Sequence, residues 1–174
     1  AHVRKVDGQP QFLQTHLTET AEIAKSLAAK LDLDQAGELL GLMHDFGKYS
    51  RKFQKYIHDE TGLFNPDLDD EESTPNGSKV DHSTAGAQWV YRELRKFGAA
   101  QGIGELFGQM LGLCIASHHG EGLIDCLDGE GNAVWKKRFE KEDELTHLAE
   151  CEQNADKAVQ QKADELAGEI LIRS

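Results

Sequence analysis

Residues 39–57 read LLGLMHDFGKYSRKFQKYI. Leu39, Leu40 and Met43 recur at helical steps, and Gly47 ends the helix they define. His44 and Asp45 therefore fall at the end of an apolar helix. Phe46-Gly47-Lys48 then lets the chain turn and places an ammonium beside them. Ser50 to Ile57 follows as a basic amphipathic stretch. Phe53, Tyr56 and Ile57 share one side of it, and no acid occurs between positions 46 and 58.

The helical period extends in both directions. Leu17, Ala21, Ala24, Ala28 and Leu31 predict a helix over roughly 16–31. Asp32 or Asp34 caps the next one. Asp81 or Ser83 opens a helix running to Phe97, stopped by Gly98. Glu105 to His118 is another, with Phe107, Met110, Leu111, Cys114 and Ile115 as its apolar face. Gly120 and Gly122 break it. Residues 123–133 read as a turn region, and helices over 135–149 and 152–172 complete the set. Residues 61–80 hold two of the three prolines, an acidic run and Asn76-Gly77, and read as a flexible acidic loop. No segment sustains a two-residue alternation. The expected class is all-α, with six or seven helices.

The chain has 174 residues, the length of one ordinary domain. Counting Gly and leaving out Tyr, about 47% of it is apolar, inside the globular range. The apolar stretches are too short to cross a bilayer, and no signal peptide is expected. The net charge of −12 arises locally, from seven acids over Asp59–Glu72 and six over Glu140–Glu152. Acidity confined to two stretches is weak evidence against a nucleic-acid partner. Three Cys, at 114, 126 and 151, are too scattered for a disulfide framework, so reduced thiols in a cytoplasmic location are expected.

Five of the eight His carry the functional reading. His16 shares a helix face with Ile23 and Leu27, and His44 follows Leu40 by four. His82 precedes Gly86 by four and Trp89 by seven; His118 follows Cys114 by four and is itself followed by His119. A single inward His is ordinarily a satisfied core residue. Each unpaired one would cost roughly 1–3 kcal/mol. Five of them plus Asp45 are hard to satisfy separately, and a shared metal site satisfies them together. Histidine-rich ligation favours Mn, Fe, Co or Ni, with Mg a remaining alternative. His2, His58 and His147 sit in polar surroundings and are expected at the surface.

His16, His44-Asp45-Phe46-Gly47-Lys48, His82 and His118-His119-Gly120 together resemble the HD metal-dependent phosphohydrolase superfamily. The stretches HDFGKYSRKFQKYI, DHSTAGA and ASHHG are most similar to the HD nuclease domain of the CRISPR-associated helicase-nuclease of type I interference. The resemblance covers roughly residues 12–120. It implies a helical bundle holding two adjacent metals and cutting single-stranded DNA. His16, His44 and Asp45 would hold the first metal, Asp45 would bridge, and His82, His118 and His119 would hold the second. The family closes its first site with a further late Asp. Asp156 and Asp164 do not match that context, and the matching segment is expected beyond Ser174.

Asp45 and Lys48 are thus the candidate catalytic residues. Lys48, Arg51, Lys52 and Lys55, with Phe53 and Tyr56, form a candidate nucleic-acid contact. Trp135-Lys136-Lys137-Arg138 is a second, weaker patch. The expected partners are single-stranded DNA, helicase domains in cis or in trans, and a CRISPR surveillance complex, with no membrane. A stand-alone HD phosphohydrolase of nucleotides or cyclic dinucleotides is the alternative function. A non-catalytic docking module is a third.

Overall fold

The helical period becomes nine α-helices in the computed structural model, which describes residues 2–3, 10–61, 80–97, 103–119, 123 and 126–170. They are α1 Leu13–Ala28, α2 Asp34–Met43, α3 Arg51–Thr61, α4 Ser83–Phe97 and α5 Ile103–Ser117. Then come α6 Val134–Phe139, α7 Asp143–Thr146, α8 Leu148–Asn154 and α9 Lys157–Ile170. Two 3-10 turns, Ala29–Leu31 and Phe46–Tyr49, join the early helices. A two-residue antiparallel pair, β1 His2–Val3 with β2 Pro10–Gln11, precedes α1. The class is all-α. Residues 62–79 of the expected flexible loop, with Gly120 and Gly122, lie outside the described residues.

α1 packs along α2, and α4 along α5; α9 lies against α2, α4 and α1. Leu17, Leu39, Met43, Phe46, Val90, Leu94, Ile115 and Leu166 are fully buried where these helices meet. Burying each contributes roughly 1.5–3 kcal/mol. Among the described residues no helix is long and apolar enough to cross a membrane.

Three local readings change. α1 begins at Leu13, because Leu13, Leu17 and Ala21 form its buried stripe. Ile23 and Leu27 are 63% and 59% exposed, so the face they share with His16 is covered only near His16; Leu31, expected in line with Leu17 and Ala21, is 73% exposed. Neither Asp32 nor Asp34 caps α2 with its side chain; Leu33 holds the cap position, and Asp32 turns the chain with φ 57°. On α5 the buried line is Gly104, Gly108, Leu111, Gly112 and Ile115. Glycines at that spacing let α5 lie close against Tyr91 and Ala87 of α4. Met110 and Cys114 stand two residues from Gly108 and Gly112, about 200° around the helix, and face outward.

The two late helices expected over 135–149 and 152–172 become four. His147 takes a left-handed backbone, φ 55°, between α7 and α8. Ala155 is extended between α8 and α9. Asp156 Oδ1 then accepts the Ala158 and Val159 N–H groups, at 2.9 and 3.3 Å, and starts α9. His147, expected at the surface, is half-buried.

Candidate metal centre

The centre is built on the turn that follows α2. His44 closes α2, and Asp45 leads into the 3-10 turn 46–49. Gly47 is required there by a close approach. Its N–H donates to the His82 carbonyl at 3.1 Å, and a Cβ at this position would meet that oxygen at 2.2 Å. One turn into α4, a Cβ on Gly86 would meet the Met43 carbonyl at 2.0 Å. Two glycines therefore let α4 press against the end of α2 and carry His82 to Asp45. α8 supports the turn from below. Buried Cys151 lies 3.6 Å from the Gly47 carbonyl, and Asn154 donates to the Tyr49 carbonyl at 3.3 Å.

Asp45 is buried, and its two oxygens face different neighbours. Oδ2 lies 3.1 Å from His16 Nε2, 3.2 Å from His44 Nε2 and 2.6 Å from Lys48 Nζ. Oδ1 lies 3.3 Å from His82 Nε2, 3.4 Å from His118 Nε2 and 3.8 Å from His119 Nε2. The ligand-type atoms of His16, His44 and Asp45 form one group within 4.8 Å of one another. Those of Asp45, His82, His118 and His119 form another. Across the two sets, the six residues expected from the sequence converge on one carboxylate. They come from α1, the end of α2, the start of α4 and the end of α5.

The outer nitrogens set the tautomers. Nδ1–H of His44 donates to the Gly41 carbonyl at 2.8 Å, that of His82 to Val80 at 3.1 Å, and that of His118 to Ile115 at 2.7 Å. A carbonyl can only accept, so in the neutral rings each Nε2 presents a lone pair toward Asp45. Asp45 Oδ1 and His118 Nε2 are buried without a hydrogen-bond partner. His82 Nε2 and His119 Nε2 approach to 2.6 Å, and His16 Nε2 and His44 Nε2 to 3.2 Å. An inward concentration of acceptors with two orphaned buried atoms is what a divalent cation satisfies, so these residues fit a metal.

Electrostatics agree with that fit. Burial alone would favour the neutral acid at Asp45; N–H groups of the His118, His16, His44 and His82 rings turned toward it would outweigh burial and hold the carboxyl far below its ordinary range, and a metal takes the place of those protons when the rings turn lone pairs inward. Burial, together with His118 and His82, pushes His119 down to about 4. A neutral imidazole is the form that binds metal.

Two supports were not legible as such. The first is Asp81, read only as a cap. Its carboxylate accepts the Thr84 N–H and hydroxyl at 3.2 and 2.6 Å and receives Lys141 Nζ at 2.8 Å. Burial opposes its ionisation, but Lys141 and Thr84 hold it at about 2. Arg138 donates to Thr84 Oγ1 and Ser83 Oγ, both at 3.0 Å. The position of Asp81 just before His82 is the available signal; Lys141, 60 residues away, and Arg138, also distant in the chain, have none. The second is Phe53. It is 4% exposed, and its ring packs edge-on to His82 with centroids 4.8 Å apart.

The candidate nucleic-acid residues divide accordingly. Phe53 is a wall of the His82 site and is closed to base stacking. Lys48 belongs to the Asp45 cluster. Arg51 and Lys52 are exposed and Lys55 is half-buried on α3, with Arg51 Nε 3.6 Å from Glu150. In the second patch Trp135 is core, and Arg138 is committed to the start of α4. Of the late aspartates, Asp156 caps α9 and Asp164 lies on α9; neither belongs to the ligand groups found among the described residues.

The family model described as "Cas3, HD domain" matches residues 3–172. Neither a curated protein nor a solved structure matches in a like comparison. A match over nearly the whole length, with the histidines and aspartate of the HD motif gathered at one centre, leads to one conclusion: the chain belongs to the family of Cas3 HD nuclease domains.

Proposed function

We propose that this domain is a metal-dependent endonuclease that cleaves single-stranded DNA in type I CRISPR interference. The observation that carries the reading is the division of Asp45, one oxygen toward His16 and His44 and the other toward His82, His118 and His119. A carboxylate so flanked suits two cations, Mn, Fe, Co or Ni by ligand type and Mg as the alternative. Bound there, divalent cations supply the Lewis acidity that lowers the pKa of water and offsets charge on the attacking and leaving phosphodiester oxygens.

The chain's own residues do the rest. His16 and His44 with Asp45 would hold one cation; Asp45 with His82, His118 and His119 would hold the other. Hydrogen bonds to the Gly41, Val80 and Ile115 carbonyls keep three of the rings aimed inward. Lys48 supplies positive charge for a phosphate oxygen. Arg51, Lys52 and Lys55 line the approach along α3 and steer the strand. Helicase domains, in cis or in trans, deliver that strand, and a CRISPR surveillance complex recruits them.

The test is to load the protein with Mn²⁺ and offer circular single-stranded DNA, duplex DNA and a panel of nucleotides. EDTA and a His44→Ala/Asp45→Ala variant serve as controls. Metal-dependent cutting of the single-stranded circle is the expected result. Phosphate release from nucleotides with intact circles would replace the reading with a nucleotide phosphohydrolase.

A further inference from the structure

The two sides of Asp45 differ in one respect that the ligand pattern does not require. On the Oδ1 side the titratable groups within 4 Å, among the described residues, are imidazoles. On the Oδ2 side the nearest group is a cation of the chain itself, Lys48 Nζ at 2.6 Å. We propose that Lys48 is a resident counter-ion for Asp45 Oδ2. It occupies the His16/His44 half when metal is scarce and must be displaced before that half fills. The proposal rests on the metal-dependent reading of the centre given above.

Several contacts hold the ammonium in place. Lys48 stands three residues after Asp45 in the 3-10 turn, so backbone geometry delivers it to the carboxylate. Its side chain is 14% exposed, and Nζ lies 5.5 Å from the centre of the Phe53 ring. The Gln54 amide donates to the Lys48 carbonyl, and Ser50 Oγ donates to the Gly47 carbonyl at 2.9 Å. These bonds tie the turn to the start of α3. Asp45 is the one carboxylate within 4 Å of Lys48 Nζ among the described residues. Lys48 is therefore a half-buried cation whose counter-charge among the described residues is the proposed metal-ligating group itself.

The consequence is unequal filling. A dication bound through Oδ1 meets two orphaned acceptors, Asp45 Oδ1 and His118 Nε2, and gains both. A dication bound through Oδ2 must share that oxygen with an ammonium or expel it. Expulsion breaks a close ion pair and moves a half-buried charge. The His82/His118/His119 half therefore fills first. The second cation frees Lys48 from Asp45, and only then can the ammonium turn toward a phosphate. The fully charged centre and the phosphate-binding lysine are made by the same event.

The experiment is Mn²⁺ titration of this protein by calorimetry, with stoichiometry checked by native mass spectrometry. Wild type is compared with Lys48→Met, which keeps the length and removes the charge, and with Lys48→Arg, which keeps the charge. Wild type should show a tight and a weak equivalent. Lys48→Met should tighten the weak one about tenfold, inside the ordinary range of site-to-site coupling, and leave the tight one within about twofold. Lys48→Arg should keep the wild-type gap. Melting in EDTA gives a second readout. Lys48→Met should melt several degrees lower than wild type without metal, because Asp45 loses its counter-charge, and should recover in saturating Mn²⁺. Both equivalents shifting together, or a weak equivalent that weakens further in Lys48→Met, would overturn the proposal. So would a wild type that binds no Mn²⁺. A protein that shows the predicted binding pattern yet cuts no DNA would sink the nuclease reading and leave the Lys48 assignment standing.

Discussion

The two halves of the Asp45 centre are assembled by opposite means. The Oδ2 half is local on one side: His44, Asp45 and Lys48 lie within five residues, and only His16 comes from elsewhere. The Oδ1 half is long-range throughout: His82 lies 37 positions after Asp45, and His118 and His119 lie more than 70 after it. The local half contains its own cation, whereas the distant half contains unsatisfied acceptors. On the proposed reading, one carboxylate serves two sites of different readiness. A turn brings charge to one oxygen at little entropic cost; the other oxygen depends on helix packing to gather its partners.

That comparison can be broken most severely at its shared member. Asp45→Asn should abolish metal binding at both halves and lower cutting by about 10²–10³-fold or more, read as initial rates on circular single-stranded DNA. Retention of either metal equivalent would show that the halves do not share this residue.

A smaller but still joint effect is expected at Gly47. Gly47→Ala puts a methyl group against the His82 carbonyl. The α2 end and α4 must then separate, at a cost of about 1–3 kcal/mol in urea denaturation. Both halves should loosen together, because the contact that joins them is lost.

Separate single substitutions sharpen the difference. His119→Ala removes an imidazole that is 57% exposed at its side chain, and His16→Ala removes one that is 22% exposed. Each should delete one metal equivalent in native mass spectrometry: His119→Ala the tight one, His16→Ala the weak one. For His119→Ala, metal-free stability should stay within about 0.5 kcal/mol.

Acid titration separates the halves more gently. His119 has a folded pKa of about 4, below the ordinary 6.5. The unfolded chain therefore takes up this proton first. The contribution is fully present above about pH 6.5, and metal-free stability falls as pH drops from there toward 4. Urea midpoints across that window should decline less steeply in His119→Ala.

The smallest effect concerns the approach. Lys52→Ala/Lys55→Ala should leave metal stoichiometry at both halves unchanged. The salt dependence of single-stranded DNA binding should flatten, by about 0.7 in log–log slope for each lost phosphate contact.

The helices around the HD turn were legible because their signals are short-range. Apolar spacing marked α2, a glycine marked the turn, and Asp81 or Ser83 marked the start of α4. Misread positions share one cause: a periodic face has no label saying which helix will cover it. Ile23 and Leu27 lie in line with His16 yet are exposed, whereas His16 itself meets His44 and Asp45. Phe53 had the profile of a stacking aromatic and became the wall behind His82. Charge alone could not distinguish Arg138 and Lys141, which brace Asp81, from the exposed Lys136 and Lys137.

By itself, the sequence determined the all-α class, the HD turn with its glycine and lysine, and the set of histidines with reason to meet. Those follow from spacing, turn chemistry and the cost of burying imidazoles apart. Only the tertiary structure decided which oxygen of Asp45 faces which histidines, that Lys48 holds one of them, and that Phe53 and Asp81 brace His82. Those are matters of direction between helices far apart in the chain. Such directions are set by the close approach of α4 to the end of α2 at Gly47 and Gly86, a contact no local pattern records.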